Sequence, residues 1–199
     1  LFSYVLPAWE RGQIPALVRR SVQAQKQHAK LALALLDPAQ TSDVRWRLAR
    51  REVYDSLSAL TQATQRTLAE PRQVRPPLQP LEALQARSYQ LLAQLTAIKS
   101  MLLLRRAQLD LDVALPALKQ ASQDIDAALT GSTDAPVQAS STADTPGTAG
   151  QPFQPRPDPL LANDLTPWLL RRLALATAMA RELRQAEVQM VQNTLRFAT

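Results

Sequence analysis

The sequence predicts an all-α fold, an antiparallel bundle of four long helices and one short helix. Hydrophobic residues make up 46% of the 199 residues but aromatic residues only 5%, which gives β-strands little to pack with. Ala, Leu, Gln and Arg dominate, and all four are favourable in helices. Apolar side chains recur every three or four residues over long stretches, as expected for amphipathic helices that share one core. We expect residues 10–199 to form this domain.

Proline and capping residues bound the first two predicted helices. The first spans about residues 14–36, with Pro15 in its first turn, and stops before Pro38. The second spans about residues 44–70 and stops before Pro71. Its predicted buried face consists of Trp46, Val53, Leu57, Leu60, Thr64 and Leu68.

The third predicted helix carries the clearest periodic signal. Its seam positions alternate spacings of three and four residues, the repeat of left-handed, coiled-coil-like packing, and they are Leu81, Leu84, Ser88, Leu91, Leu95, Ile98 and Leu102. The seam requires a partner, which is either another helix of this chain or a second subunit. A shorter helix follows, in which Pro116 marks a kink or a new start. It repeats the pattern at Leu115, Leu118, Ser122, Ile125 and Leu129.

Residues 131–159 differ sharply in composition from the rest of the chain. They contain six Pro and three of the four Gly, and few large apolar side chains. Because ordering costs about 1–2 kcal/mol per residue in backbone entropy, we expect a disordered linker within the single domain. The last long helix then begins with Thr166 as N-cap and Pro167 in its first position. Its predicted buried stripe is Leu169, Leu173, Ala176, Ala180, Leu183 and Val191.

The chain offers few residues for enzymatic chemistry. It has no Cys, which excludes disulfides, thiolate catalysis and cysteine-ligated metals. Its only histidine, His28, has Lys and Gln residues nearby in the sequence, and we interpret it as a solvated surface residue rather than a general base. Asp110 and Asp112 would point to different faces of a helix, so we interpret them as helix-start residues rather than metal ligands. We expect no catalytic residue, no metal site and no cofactor.

The formal charge of +6 comes mainly from arginine, since only four of the 23 basic residues are Lys. This usage indicates either a coding bias towards Arg or attraction to an anionic partner. Four adjacent pairs recur, namely Arg19-Arg20, Arg50-Arg51, Arg105-Arg106 and Arg171-Arg172. Such pairs suit phosphate binding, but stacking aromatic residues do not accompany them and acidic residues lie one helical turn away, as Asp55 does from Arg51. We interpret most as solvated or salt-bridged and expect no nucleic-acid partner.

The stretch LFSYVLPAWERGQIPALVRR passes from apolar through aromatic to basic residues. Residues 1–6 are too short to cross a bilayer, which requires about 20 apolar residues. We expect residues 1–9 to be the end of a transmembrane helix at the membrane exit. Tyr4 and Trp9 would lie at the headgroup level, and Arg11 would lie on the cytoplasmic side near anionic lipid headgroups.

This stretch resembles the end of the final membrane helix of the fusaric-acid-resistance (FUSC-type) family of bacterial inner-membrane proteins, which is similar in kind to the aromatic acid exporters. The residues that match are Leu6, Pro7, Trp9, Ile14 and Pro15. Residues 43–73 resemble the long soluble helix of the family, although the Met that usually precedes its Glu-Pro is absent here. The matching residues there are Ala49, Arg50, Arg51, Glu70 and Pro71. The segment LEALQARSYQLLAQLTAIKSMLL resembles the next helix, so the similarity covers residues 1–110.

The resemblance implies the cytoplasmic domain of a bacterial inner-membrane efflux transporter for small organic acids, aromatic ones above all. Such a domain would be non-catalytic and would assemble or gate the membrane part. The implied partners are its own transmembrane domain, further copies in a homo-oligomer, and an organic anion as substrate. Because Arg binds a carboxylate through two hydrogen bonds, Arg50 and Arg51, and then Arg105 and Arg106, are the candidate substrate-binding residues. The alternative is a stand-alone helical module that docks on nucleic acid or anionic lipid surfaces.

Overall fold

A computed structural model describes residues 9–34, 43–68, 78–131 and 164–196, and it is all-helical. A single 3₁₀ turn, Arg106–Gln108, lies between the third and fourth of its α-helices. The five α-helices are α1 (Trp9–Leu33), α2 (Asp43–Leu68), α3 (Leu78–Leu104), α4 (Leu111–Thr130) and α5 (Thr166–Arg196). No strand occurs in these four ranges, and the predicted helical bundle is confirmed. The predicted disordered linker, apart from Gly131, lies outside the described residues.

Helix α1 is central to the bundle, because it packs against α2, α3 and α4, while α5 packs against α3 and α4. Helices α1 and α2 run antiparallel. An ion pair joins Arg20 Nε to Glu52 Oε1 at 2.8 Å, and nearer the end of α1 the Trp46 indole of α2 contacts His28. An ion pair between Arg87 of α3 and Glu182 of α5, at 2.9 Å, lies on another helix–helix boundary. Cross-helix pairs therefore accompany the apolar contacts on the outside of the bundle.

Helices α4 and α5 run parallel, unlike α1 and α2. The backbone N–H of Asp110 at the start of α4 donates to Thr166 Oγ1 at the start of α5, over 2.8 Å. At the other end of α4, Gly131 faces the guanidinium of Arg184 in α5. The 20 residues of α4 span about 30 Å, so these two contacts fix the parallel direction over the whole length of α4.

The seam of α3 is the centre of the core. All seven predicted seam positions are buried, with exposed fractions of 3% or less. The six apolar ones lie in one cluster with residues of α1, α4 and α5, among them Val18, Ile125 and Leu183. The partners of the seam are therefore other helices of the same chain.

Three predicted core positions are exposed instead, namely Leu68, Leu115 and Val191. In α4 the buried stripe consists of Ala114, Leu118, Ala121, Ile125 and Leu129. The prediction is confirmed at Leu118, Ile125 and Leu129, whereas Ala114 and Ala121 replace Leu115 and Ser122. Two of these five are Ala, and small side chains let neighbouring helices approach closely. A pattern that ranks larger side chains above Ala therefore misplaced two of the five positions by one residue. In α5, Met190 is buried in place of Val191.

Two predicted helix starts also differ in the structure. Helix α1 begins at Trp9, so that Pro15 lies inside the helix, where it removes one backbone N–H donor. At α5, the predicted N-cap Thr166 does not cap the helix with its own hydroxyl. The carboxylate of Asp164 accepts the Thr166 N–H at 2.8 Å, which leaves the Thr166 hydroxyl to accept the N–H of Asp110. This hydroxyl ties the start of α4 to the start of α5.

Candidate functional site

The two arginines of the Arg50-Arg51 pair have different surroundings. Arg51 is exposed, and its Nε lies 3.6 Å from Asp55 Oδ2 one turn along α2, the solvated ion pair that the sequence predicted. Arg50 is half-buried, and its guanidinium carbon lies 5.0 Å from the centre of the Trp46 ring. A cation over an indole face is attracted by the ring quadrupole, by about 0.5–2 kcal/mol depending on solvation. The two adjacent arginines therefore differ in burial and in contacts.

Arg105 and Arg106 follow the last turn of α3, and both are exposed. Only Arg105 lines a pocket of about 270 Å³ between the end of α3, the 3₁₀ turn and the start of α5. The other lining residues are Ser100, Met101, Leu104, Gln108, Leu165 and Trp168. The structure thus distinguishes two neighbouring arginines that the sequence treated alike.

Hydrogen bonds hold the walls of this pocket, called here the Arg105 pocket. The backbone N–H of Leu165 donates to the carbonyl of Gln108 at 2.8 Å, which ties the start of α5 to the 3₁₀ turn. The guanidinium carbon of Arg172 lies 4.7 Å from the centre of the Trp168 ring. Arg172 Nη1 in turn donates to Gln94 Oε1 of α3 over 2.6 Å. Trp168 is therefore positioned by contacts on both α3 and α5.

The chemistry of the Arg105 pocket suits a small amphipathic anion. Met101, Leu104, Leu165 and Trp168 provide apolar and aromatic walls, and Arg105 provides a planar fork of donors that matches a carboxylate. Pockets for drug-sized ligands hold about 300–1,000 Å³, so this one matches a molecule with a single ring. Trp168 is the residue that sequence reasoning missed, because its position beside Arg105 depends on how α5 packs on α3.

His28 is fully buried, so the prediction of a solvated surface residue was wrong. The indole N–H of Trp46 donates to His28 Nε2 at 3.1 Å, and the ring centroids lie 6.2 Å apart. The neighbours of His28 in sequence suggested solvent, but adjacent residues of a helix lie on different faces. Ser21 and Gln25, which share its face at helical spacing, are fully buried as well.

Lys99 of α3 is also fully buried, and its Nζ lies 5.1 Å from the centre of the Trp46 ring. Burial, together with the positive charges of Arg50 and Lys99, lowers the pKa of His28 to about 4. The imidazole is therefore neutral at pH 7. His28, Trp46, Arg50 and Lys99 form what is called here the Trp46 cluster. The only signal for Lys99 in the sequence is a single Lys within the apolar run TAIKSMLLL.

The neutral form of His28 is a defined tautomer. Because Nε2 accepts the Trp46 N–H, the ring proton must lie on Nδ1. This N–H donor is buried and has no hydrogen-bond partner among the described residues. A donor left in this state costs about 1–3 kcal/mol relative to its hydration in the unfolded chain. An acceptor at Nδ1 would therefore stabilise the folded state.

The predicted membrane-exit residues receive no structural support. Tyr4 lies outside the described residues, as do the side chains of Trp9 and Arg11. None of the described helices is long and apolar enough to cross a membrane. Within the same ranges, no three His, Asp or Glu side chains lie close enough together to share a metal ion. The chain matches no protein-family model, no curated protein and no solved structure.

Proposed function

We propose that this chain is the non-catalytic cytoplasmic domain of an inner-membrane efflux transporter, and that it binds small aromatic acids in the Arg105 pocket. One observation carries the proposal, namely that Arg105 and Trp168 line the same small apolar pocket. The ring of an aromatic acid would occupy the apolar walls, and its carboxylate would accept hydrogen bonds from Arg105. The resemblance of residues 1–110 to the FUSC-type family supports the same class of ligand.

The position of α1 supports a role in assembling or gating the membrane part. This helix follows the predicted membrane exit directly in sequence, and it packs against α2, α3 and α4. A displacement at its start would therefore be passed to three other helices at once. The Arg105 pocket lies at the end of α3 and the start of α5, and α3 itself packs on α1. Ligand binding in the pocket would thus be coupled to movement of α1 through the packing of α3 on α1.

The first test measures binding of benzoate to the 199-residue chain by calorimetry, with uncharged benzamide as the matched control ligand. Benzoate should bind about tenfold or more tightly than benzamide, because a hydrogen bond to a charged group contributes about 1.5–3 kcal/mol. Arg105→Gln should remove this preference, whereas Arg106→Gln, at the neighbouring exposed arginine outside the pocket, should keep it. Equal affinity for benzoate and benzamide, or equal effects of the two substitutions, would refute the pocket assignment.

The second test concerns the transporter as a whole. The protein expressed from its own gene should sediment with the inner membrane, and its deletion should sensitise cells to aromatic acids. Deletion cells that are complemented with the Arg105→Gln variant should export less aromatic acid than cells complemented with Arg106→Gln. The two variants are compared at equal abundance in the membrane. If the protein is found away from the membrane and bound to nucleic acid, the interaction-module alternative replaces the transporter proposal.

A further inference from the structure

A long groove lies between α1 and α4, outside the sites described above. It consists of two adjoining pockets of about 530 and 490 Å³, which share Ser122 and Gln123 as lining residues. On α4 the lining residues run from Leu115 to Thr130, which corresponds to about 22 Å along the helix axis. This surface is called here the α1–α4 groove, and it shares no lining residue with the Arg105 pocket.

The walls of the first pocket are mainly aliphatic. This pocket lies between the last turn of α1 and the part of α4 near its start, and Leu33, Leu115 and Leu118 line it. Leu115 is 45% exposed, although the sequence pattern predicted it as a core residue. Among the described residues that line either pocket, none is aromatic. The groove therefore suits an extended aliphatic chain, whereas the Arg105 pocket suits an aromatic ring.

Lysine side chains give the groove a positive charge. Lys119 lines the first pocket, and Lys26 and Lys30 line the second, so three of the four lysines of the chain lie here. The one acidic residue among the described lining residues is Asp126, whose Oδ1 lies 3.3 Å from Lys26 Nζ. Lys30 and Lys119 are exposed, and neither forms an ion pair with a described carboxylate. Three lysines against one aspartate leave two positive charges in excess.

We infer that the α1–α4 groove binds a free medium-chain aliphatic carboxylate. The chain would occupy the apolar first pocket, and the carboxylate would pair with Lys30 and Lys119. Apolar walls with a few polar groups that fix the head of the ligand are the usual composition of such sites. A second copy of the chain is a poor occupant, because its net charge of +6 would be repelled by the lysines. The inference does not depend on the ligand proposed for the Arg105 pocket.

Calorimetry with the 199-residue chain tests both parts of the ligand. Decanoate should bind saturably and about tenfold or more tightly than decyltrimethylammonium, which has the same chain and the opposite charge. From hexanoate to octanoate to decanoate, affinity should rise by about twofold or more for each added methylene group, because more apolar surface leaves water. Equal affinity for the two decyl compounds, or no rise with chain length, would overturn the inference.

Two variants of equal net charge test the location. Lys30→Gln combined with Lys119→Gln should weaken decanoate binding by about fivefold or more, since two exposed ion pairs are lost. The matched control combines Arg19→Gln with Arg171→Gln, because both arginines are exposed and lie outside the groove. It should bind decanoate like the unaltered chain. Far-UV circular dichroism checks that both variants are helical, and equal losses in the two would refute the groove.

Other occupants give different results. Arg105→Gln should leave the affinity for decanoate unchanged, and a loss there would place the carboxylate in the Arg105 pocket and overturn the inference. Vesicles rich in phosphatidylglycerol test a lipid surface. Binding to these vesicles through Lys30 and Lys119, without binding of decanoate, would contradict the inference. Sedimentation velocity tests a second copy, and a dimer that dissociates in the double lysine variant would contradict it equally.

Discussion

Protonation of His28 should make the stability of this protein depend on pH between 7 and 4. The pKa of His28 is about 4 in the folded state, against 6.5 for an ordinary histidine. As the pH falls below 6.5, the unfolded chain binds a proton that the folded chain rejects, so stability is lost. The loss continues until the pH reaches about 4 and then levels off. At pH 7 and above, the full contribution of neutral, buried His28 is present.

The two pKa values give the size of the effect. Between pH 7 and pH 5 the free energy of unfolding should fall by about 2 kcal/mol, because one pKa unit corresponds to about 1.4 kcal/mol. The midpoint of thermal unfolding should fall by about 4–8 °C for a chain of this size. Since His28 is the only histidine, this pH window reports on one side chain.

Urea unfolding followed by circular dichroism at pH 7 and pH 5, in a buffer without added halide, measures the effect. His28→Gln is the informative variant, because its side-chain oxygen can accept the Trp46 N–H in place of Nε2. The variant will be less stable in absolute terms, yet its stability should change by less than about 0.5 kcal/mol over the same pH range. Equal losses in the two proteins would refute the view that His28 is buried in its neutral form.

Three further substitutions test the packing. Leu95→Ala in the α3 seam should cost about 2–5 kcal/mol of unfolding free energy, whereas Leu103→Ala, at a residue that is 50% exposed, should cost less than about 0.5 kcal/mol. Similar costs would contradict the seam. Gly131→Ala should cost about 1–2 kcal/mol, because φ is 78° and a Cβ would lie 2.5 Å from Arg184 Nη2. An unchanged thermal midpoint would contradict that backbone geometry. Thr166→Val should cost about 1–3 kcal/mol by removing an acceptor at the start of α4, while Thr166→Ser should be nearly neutral, and equal midpoints in these two variants would show that the hydroxyl is dispensable.

Features that depend on one helix alone were predicted well from the sequence. The seam of α3 repeats its spacing without interruption, and all seven positions are buried. The ion pair of Arg51 with Asp55 also follows from spacing, because residues four apart on a helix are neighbours whatever the helix packs against. The acidic start of α4 is similar, since Asp110 accepts the N–H of Asp112 at 3.0 Å within the same turn.

Features that depend on two helices were predicted poorly. Residue pattern favoured Leu115 for the α4 core, but the close approach of neighbouring helices buries Ala114 instead. To predict that His28 is buried, one must know that its face of α1 packs against α2 and α3. The residues next to His28 in the sequence do not indicate this packing. The parallel course of α4 and α5 was likewise hidden, since the long connection between them is compatible with either direction.

The sequence by itself determined that the chain is helical, where most of its helices lie, and which face of α3 is buried. These properties depend on the spacing of apolar residues, the positions of prolines and the helix propensity of each side chain, all of which are set by residues close together in the sequence. Only the tertiary structure decided that Arg105 shares a pocket with Trp168, and that Arg50 and Lys99 flank the same indole beside His28. Arg105 and Trp168 are 63 positions apart, and His28 and Lys99 are 71 apart, because side chains meet at these sites through the packing of helices rather than through proximity in sequence.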